Sequence, residues 1–101
     1  MAGPALVSNA AATKYTVASG RRALVRSIHI SNPTASAVDF TLSIGADAAG
    51  TRLFDGFPIP ADSVYPYFGL HVLEAAEVIQ AFAGTNNVLT LTITGEEEIL
   101  S

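Results

Sequence analysis

Cysteine and tryptophan are absent from this chain, and basic residues are scarce. Without cysteine there is neither a disulfide nor a thiolate metal site, and compartment cannot be read from redox chemistry. Five Lys and Arg stand against nine Asp and Glu, for a net charge of −4. A surface that follows nucleic-acid phosphates needs clustered cations, and only Arg21 and Arg22 are adjacent, so nucleic acid is excluded as an expected partner. No apolar run approaches the roughly 18–20 residues that a membrane-spanning helix requires. The opening MAGPALVSNAAATKY has neither a basic start nor a sustained apolar stretch, so it does not read as a signal peptide.

Catalytic patterns are missing as well. His29 and His71 are far apart in sequence, and zinc needs three or four ligands with support behind them. The loop GADAAGTRLFDG places alanine where a calcium loop needs oxygen ligands. The carboxylates Asp39, Asp47, Asp55 and Asp62 are scattered, and nothing selects a glycosidase pair. There is no Gly-x-Ser-x-Gly elbow. Gly45 and Gly50 flank a small-residue loop that lacks the lysine and helix of a phosphate cradle. The expectation is a protein with no catalytic, cofactor or metal residues, and not an enzyme.

What is present is alternation. At 101 residues the chain is one domain, and half of it is hydrophobic, much of that half alanine. Val38, Phe40, Leu42 and Ile44 alternate with Asp39, Thr41 and Ser43. Strands send successive side chains to opposite faces, so this stretch predicts a strand with a buried apolar row and a wet polar one. Before it, Leu24, Ile28 and Ile30 fall on one face, interrupted by Arg26, with Val25, Ser27 and His29 on the other. Asn32-Pro33-Thr34 between the two runs reads as a turn. Further strands are expected at 14–18, 52–54, 78–83 and 88–94, with 67–73 able to pair as another. A helical period over Val72, Ala75, Ala76 and Ile79 competes with the strand at 78–83, but Val78-Ile79 and the turn signal Gly84-Thr85-Asn86-Asn87 favour a strand and hairpin. Pro58, Pro60 and Pro66 exclude a central strand across 55–66, which reads as an extended connection crossing an edge.

The architecture expected is all-β: a small antiparallel β-sandwich, jelly-roll or immunoglobulin-like, of seven to eight strands. Residues 1–12 read as an extended arm, with a short strand at 5–8 that includes Leu6 and Val7, and residues 13–101 as the sandwich. An arm of this kind can add a strand to a neighbouring chain. Two charge clusters, Arg21-Arg22 and Glu96-Glu97-Glu98, suit a contact between subunits. Tyr65, Tyr67 and Phe68, beside prolines, suit either a plug at the end of the sandwich or a surface for a carbohydrate or protein partner.

The order KYTVASG, RRALVRSIHISNPTASAVDFTLSIG, AGTRLFDG, a proline-rich crossing, then GLHVLEAAEVIQAFAGTNNVLTLTITGEE resembles a group of small structural proteins of tailed bacteriophages. These are encoded among head and tail morphogenesis genes and built as β-sandwiches or jelly-roll-like domains. The resemblance covers residues 14–97, and it departs at Ala76-Glu77, where the pattern has Gly-Asp. It implies a non-enzymatic virion component: a capsid decoration protein, or a neck- or tail-associated one. Such a protein would be a homo-oligomer, would contact major capsid or neck and tail proteins, and would be assembled in the bacterial host cytoplasm.

Overall fold

The computed structural model describes residues 2–48, 50–85 and 87–99, and side chains from residue 5 onward. Among them are eight strands: β1 (Ala2–Leu6), β2 (Ala12–Thr16), β3 (Arg21–Asn32), β4 (Val38–Ile44), β5 (Arg52–Ile59), β6 (Ser63–Leu73), β7 (Val78–Ala83) and β8 (Thr90–Ile99). They form two antiparallel four-stranded sheets, ordered β1-β8-β3-β6 and β2-β7-β4-β5. Strand n pairs with strand 9−n in every case: β1 with β8, β2 with β7, β3 with β6, β4 with β5. A long hairpin folded over itself gives that nesting, and with β3–β8 and β4–β7 pairing it closes into a jelly roll.

The core is the layer between the sheets. The first sheet contributes Val25, Ile28, Ile30, Leu73, Leu91 and Ile93; the second contributes Phe40, Leu42, Ile59, Ile79 and Ala81. The strand at 38–44 thus buries Val38, Phe40 and Leu42 of the row its alternation predicted, with Ile44 half-buried at its end. Its opposite row differs from the expectation of a wet face. Asp39 is exposed, but Thr41 and Ser43 are buried. The Thr41 hydroxyl accepts the Gly56 N–H at 3.0 Å, and the Ser43 hydroxyl donates to Asp47 at 2.7 Å. The segment after β4 folds over this face and supplies the partners that buried hydroxyls require.

β3 also departs from strict alternation. Its pairing shifts by one residue between Val25 and Ser27 against both β6 and β8. The core row therefore runs Ala23, Val25, then Ile28 and Ile30, while Leu24 is only half-buried and Arg26 is exposed. A bulge changes which parity faces inward, and the arginine that interrupts the pattern stands at that point.

The turns serve the crossing between sheets. Asn32 is buried, and its side-chain amide donates to the carbonyls of Ser36 and Ile59, both at 2.9 Å, while its oxygen accepts from the Thr34 N–H and hydroxyl. This side-chain-made turn carries the chain from β3 in one sheet to β4 in the other. The turn expected as a hairpin at 84–87 likewise joins different sheets, because β7 and β8 face each other across the core rather than pairing. Its Asn86 lies outside the described residues, as do Met1, Ala49, Leu100 and Ser101. Pro58 and Pro66 lie inside β5 and β6, both edge strands, where a missing N–H is tolerated. The expected connection across 55–66 is thus mostly strand, with Pro60 between the two. The segment expected as an arm is extended, and over Ala2–Leu6 it pairs with β8 of its own chain.

Ala76, at the departure from the Gly-Asp pattern, has φ of +70°, and its N–H donates to the Val17 carbonyl at 3.0 Å. An L residue in that region carries a steric cost that glycine escapes. Ala76→Gly is expected to raise stability by about 0.5–1 kcal/mol after the entropy that glycine adds to the unfolded chain. Urea unfolding of both proteins checks this; an unchanged or lower midpoint contradicts it.

Candidate functional site

Four strands are left as sheet edges, and they differ in how they are guarded. An unpaired edge invites another chain, and proteins blunt it with charge, proline, bulges or shortness. β1 has five residues, contains Pro4 and pairs irregularly between Ala2 and Ala5. β2 also has five, carries Lys14 and shifts register between Thr13 and Tyr15. β5 carries Arg52, Asp55 and Pro58, and Gly56 has φ of +62°. β6 is the longest of the four, eleven residues, SVYPYFGLHVL, without one Lys, Arg, Asp or Glu, though it too carries a proline, Pro66, and a register shift against β3.

The two rows of β6 have separate destinations. Tyr65 and Tyr67 turn inward, where Phe54 of β5 meets them at ring distances of 6.0 and 5.6 Å and Phe57 meets Tyr65 at 4.8 Å. Phe54 also packs on the buried Phe40. The tyrosines close the side of the sandwich between edges β5 and β6, which is the plug arrangement. Tyr67 then crosses over Gly69: a Cβ at that glycine would sit 2.9 Å from the Tyr67 hydroxyl. The hydroxyl lies 2.9 Å from His71 Nε2, with the two rings stacked.

The outward row is Val64, Pro66, Phe68, Leu70 and Val72, all exposed. Phe68 is 73 % exposed, Leu70 60 %, Val64 58 % and Val72 50 %. Single exposed apolar residues are ordinary, but a continuous apolar row marks an interaction surface. His29 of β3 stands edge-on to Phe68, with ring centroids 5.7 Å apart. Of the three aromatics singled out in the sequence, Phe68 is the one left free for a partner. Val64, Leu70 and Val72 were missed: Val64 fell in the proline-rich 55–66 read as a connection, and Leu70 and Val72 in 67–73, where a strand was expected without its outward row being recognised as a surface.

The remaining expected interface residues fall elsewhere. Leu6 is exposed on β1, whereas Val7 is fully buried and exchanges backbone hydrogen bonds with Leu89 and Asn87. The register sets Arg21 opposite Ile99 and Arg22 opposite Glu98, so the basic and acidic clusters meet within one chain. Arg22 pairs with Glu74 at 3.1 Å and Arg26 with Glu96. Both pairs are exposed and contribute little, roughly 0–1 kcal/mol.

On the second sheet's outer face Arg52 grips Asp47 with two nitrogens, at 3.0 and 3.2 Å, and reaches Asp55 at 2.9 Å. The Asp47 N–H donates to Gln80. The guanidinium, helped by the Ser43 hydroxyl, holds the Asp47 carboxyl below the usual carboxylate range. This network ties the loop after β4 to β5 and β7. Among the described residues, no group of three or more His, Cys, Asp or Glu is placed to hold a metal ion. A shallow hollow of about 290 Å³ lies at the Ser63 end of β6, lined by Asn32, Pro33 and Asp62; the Asn32 amide there is already committed to the turn.

Tyr15 and Glu97 clasp the two sheets together. Glu97 continues the inward row Leu91, Ile93, Gly95 of β8, and the Tyr15 hydroxyl of β2 donates to its carboxylate. Burial, then the carboxylate acceptor and its charge, push the Tyr15 phenol up to about 12, against a smaller opposing effect of Arg21. The fold thus favours the neutral phenol. Its contribution is fully present below pH 10, the unfolded value, and is lost as pH rises from there to about 12. Wild-type protein should lose stability over that range more steeply than Tyr15→Phe; parallel curves of urea midpoint against pH would contradict the clasp.

Comparison with protein-family models, with curated proteins and with solved structures finds no match.

Proposed function

We propose that the chain is a non-enzymatic structural component of a tailed-phage virion, as a capsid decoration or a neck- or tail-associated protein, working through symmetric contacts between protein chains. The observation that carries this reading is β6: a long edge strand without charged residues, with an exposed apolar outer row. A lone soluble domain gains nothing from such an edge and risks aggregation through it. A protein built to be packed against others uses it. The sequence resemblance over 14–97 to phage head and tail proteins supplies the setting, and with it major capsid, neck or tail proteins as partners and assembly in the host cytoplasm.

The second reading, a carbohydrate- or protein-binding module, calls on the Tyr65–Phe68 segment, with Tyr65, Tyr67 and Phe68 together as a sugar platform. The inward packing of both tyrosines on Phe54 leaves one ring where a sugar platform would use several. Contact with protein is therefore the better reading.

The test is particle occupancy. Particles made with the gene present and purified through a density gradient should contain the chain at a fixed copy number by mass spectrometry. Phe68→Lys combined with Leu70→Lys should cut occupancy at least tenfold while circular dichroism stays unchanged. Absence of the wild-type chain from purified particles, or wild-type occupancy by the double variant, overturns the proposal.

A further inference from the structure

We infer that Asp55-Gly56 is a site of spontaneous covalent modification, at which the aspartate isomerises to isoaspartate, and that the Thr41 hydroxyl sets its rate. This holds whether or not the chain belongs to a virion.

The sequence contains one Asp-Gly step and no Asn-Gly step. In such a step the glycine nitrogen can attack the aspartate side-chain carboxyl, because no Cβ stands in the way and the glycine backbone turns freely. The N–Cγ bond forms, the carboxyl's hydroxyl leaves as water with the proton of the amide nitrogen, and a five-membered succinimide remains. Water then opens the ring. Addition at the Cγ carbonyl restores aspartate. Addition at the main-chain carbonyl breaks its bond to the Gly56 nitrogen, which stays on Cγ. The main chain then runs through Cβ and Cγ, one methylene longer, and the old carbonyl becomes a free α-carboxylate. Mass and charge are unchanged, and water is the only co-reactant.

The fold presents this step to solvent. β5 is a sheet edge, and its pairing with β4 shifts between Phe40 and Leu42, where Asp55 and Gly56 together stand against Thr41. That is a bulge, whose extra residue has no place in the ladder. Both residues are exposed. Gly56 has φ of +62°, and a Cβ built there would meet nothing within 4 Å, so a ring has room. The step Asp62-Ser63 differs, because Ser63 bears a side chain and is paired with Asn32.

One contact restrains the reaction. The Gly56 N–H donates to the hydroxyl of the buried Thr41 at 3.0 Å. The attacking nitrogen must lose this bond, since its proton has to leave. Arg52 also holds one oxygen of the Asp55 carboxylate at 2.9 Å, but that side chain is 70 % exposed, and an exposed pair restrains little. The bulge thus offers the reacting pair, and Thr41 keeps its nitrogen occupied. The added methylene would fall between Phe54 and Phe57, whose rings meet each other and Tyr65 in the aromatic seal, so an aged chain should loosen there.

Storage of the folded protein at neutral pH and body temperature, followed by enzymatic methylation of isoaspartyl carboxylates, measures the product. Endoproteinase Asp-N, which cuts before aspartate but not before isoaspartate, locates it. Wild-type protein should accumulate methyl acceptor and lose cleavage before residue 55. Asp55→Glu, an exposed change that keeps the charge, should abolish the signal. Thr41→Val or, should it not fold by circular dichroism, Thr41→Ala should accelerate it about fivefold, the equivalent of losing one hydrogen bond of about 1 kcal/mol. Thr41→Ser, which keeps the hydroxyl, should age as the wild type does. Absence of isoaspartate from aged wild-type protein, or its persistence in Asp55→Glu, overturns the site. An unchanged rate without the hydroxyl, or equal acceleration in Thr41→Ser, overturns the role of Thr41.

Discussion

The nested pairing of strand n with strand 9−n is the constraint on which the rest of the structure depends. It requires the chain to leave one sheet and enter the other at every connection except that between β4 and β5, and it places the first strand beside the last. The buried Asn32 amide makes one of these crossings possible, by satisfying carbonyls at Ser36 and Ile59 that the sheets cannot reach. Such a topology is rich in contacts distant in sequence, which costs loop-closure entropy before pairing rewards it. A single apolar layer between the sheets holds the nest shut, with Phe40, Ile28 and Leu91 among its fully buried members. The Tyr15–Glu97 clasp and the aromatic seal of Phe54, Tyr65 and Tyr67 close two sides of that layer.

The same constraint decides where the molecule is open. Nesting satisfies the inner strands on both sides and leaves β1, β6, β2 and β5 as edges. All four carry a proline, a charge or a break in register that discourages further pairing. β6 alone combines length with a lack of charge: it puts its tyrosines to work inside and presents its valines, leucine and phenylalanine outside. The function proposed follows from that asymmetry, not from any constellation of reactive groups.

The alternation of Val38, Phe40 and Leu42 was legible because a half-buried strand enforces a period of two. The all-β sandwich was legible for the same reason, repeated along the chain. The bulge at Arg26 was visible only as an interruption, since sequence shows that a pattern breaks but not which parity then turns inward. Thr41 and Ser43 read as wet because their polarity is local, whereas their burial comes from Gly56 and Asp47 brought over them by the fold. The pairing of Arg22 with Glu74, and the meeting of the charge clusters within one chain, depend on register, which composition does not carry. Pro58 and Pro66 hid the continuation of β5 beyond Phe54 and the beginning of β6 by the rule that bars proline from sheet interiors, a rule that edges escape.

Amide hydrogen exchange of the wild-type protein at low and high concentration tests the central claim most directly, because it reports β6 without altering a residue. Exchange in residues 63–73 should slow as concentration rises, while the charged edge β5 exchanges at the same rate throughout. Concentration-independent exchange along β6, or equal slowing at β5, would contradict an account in which this one edge is where the protein meets its own kind.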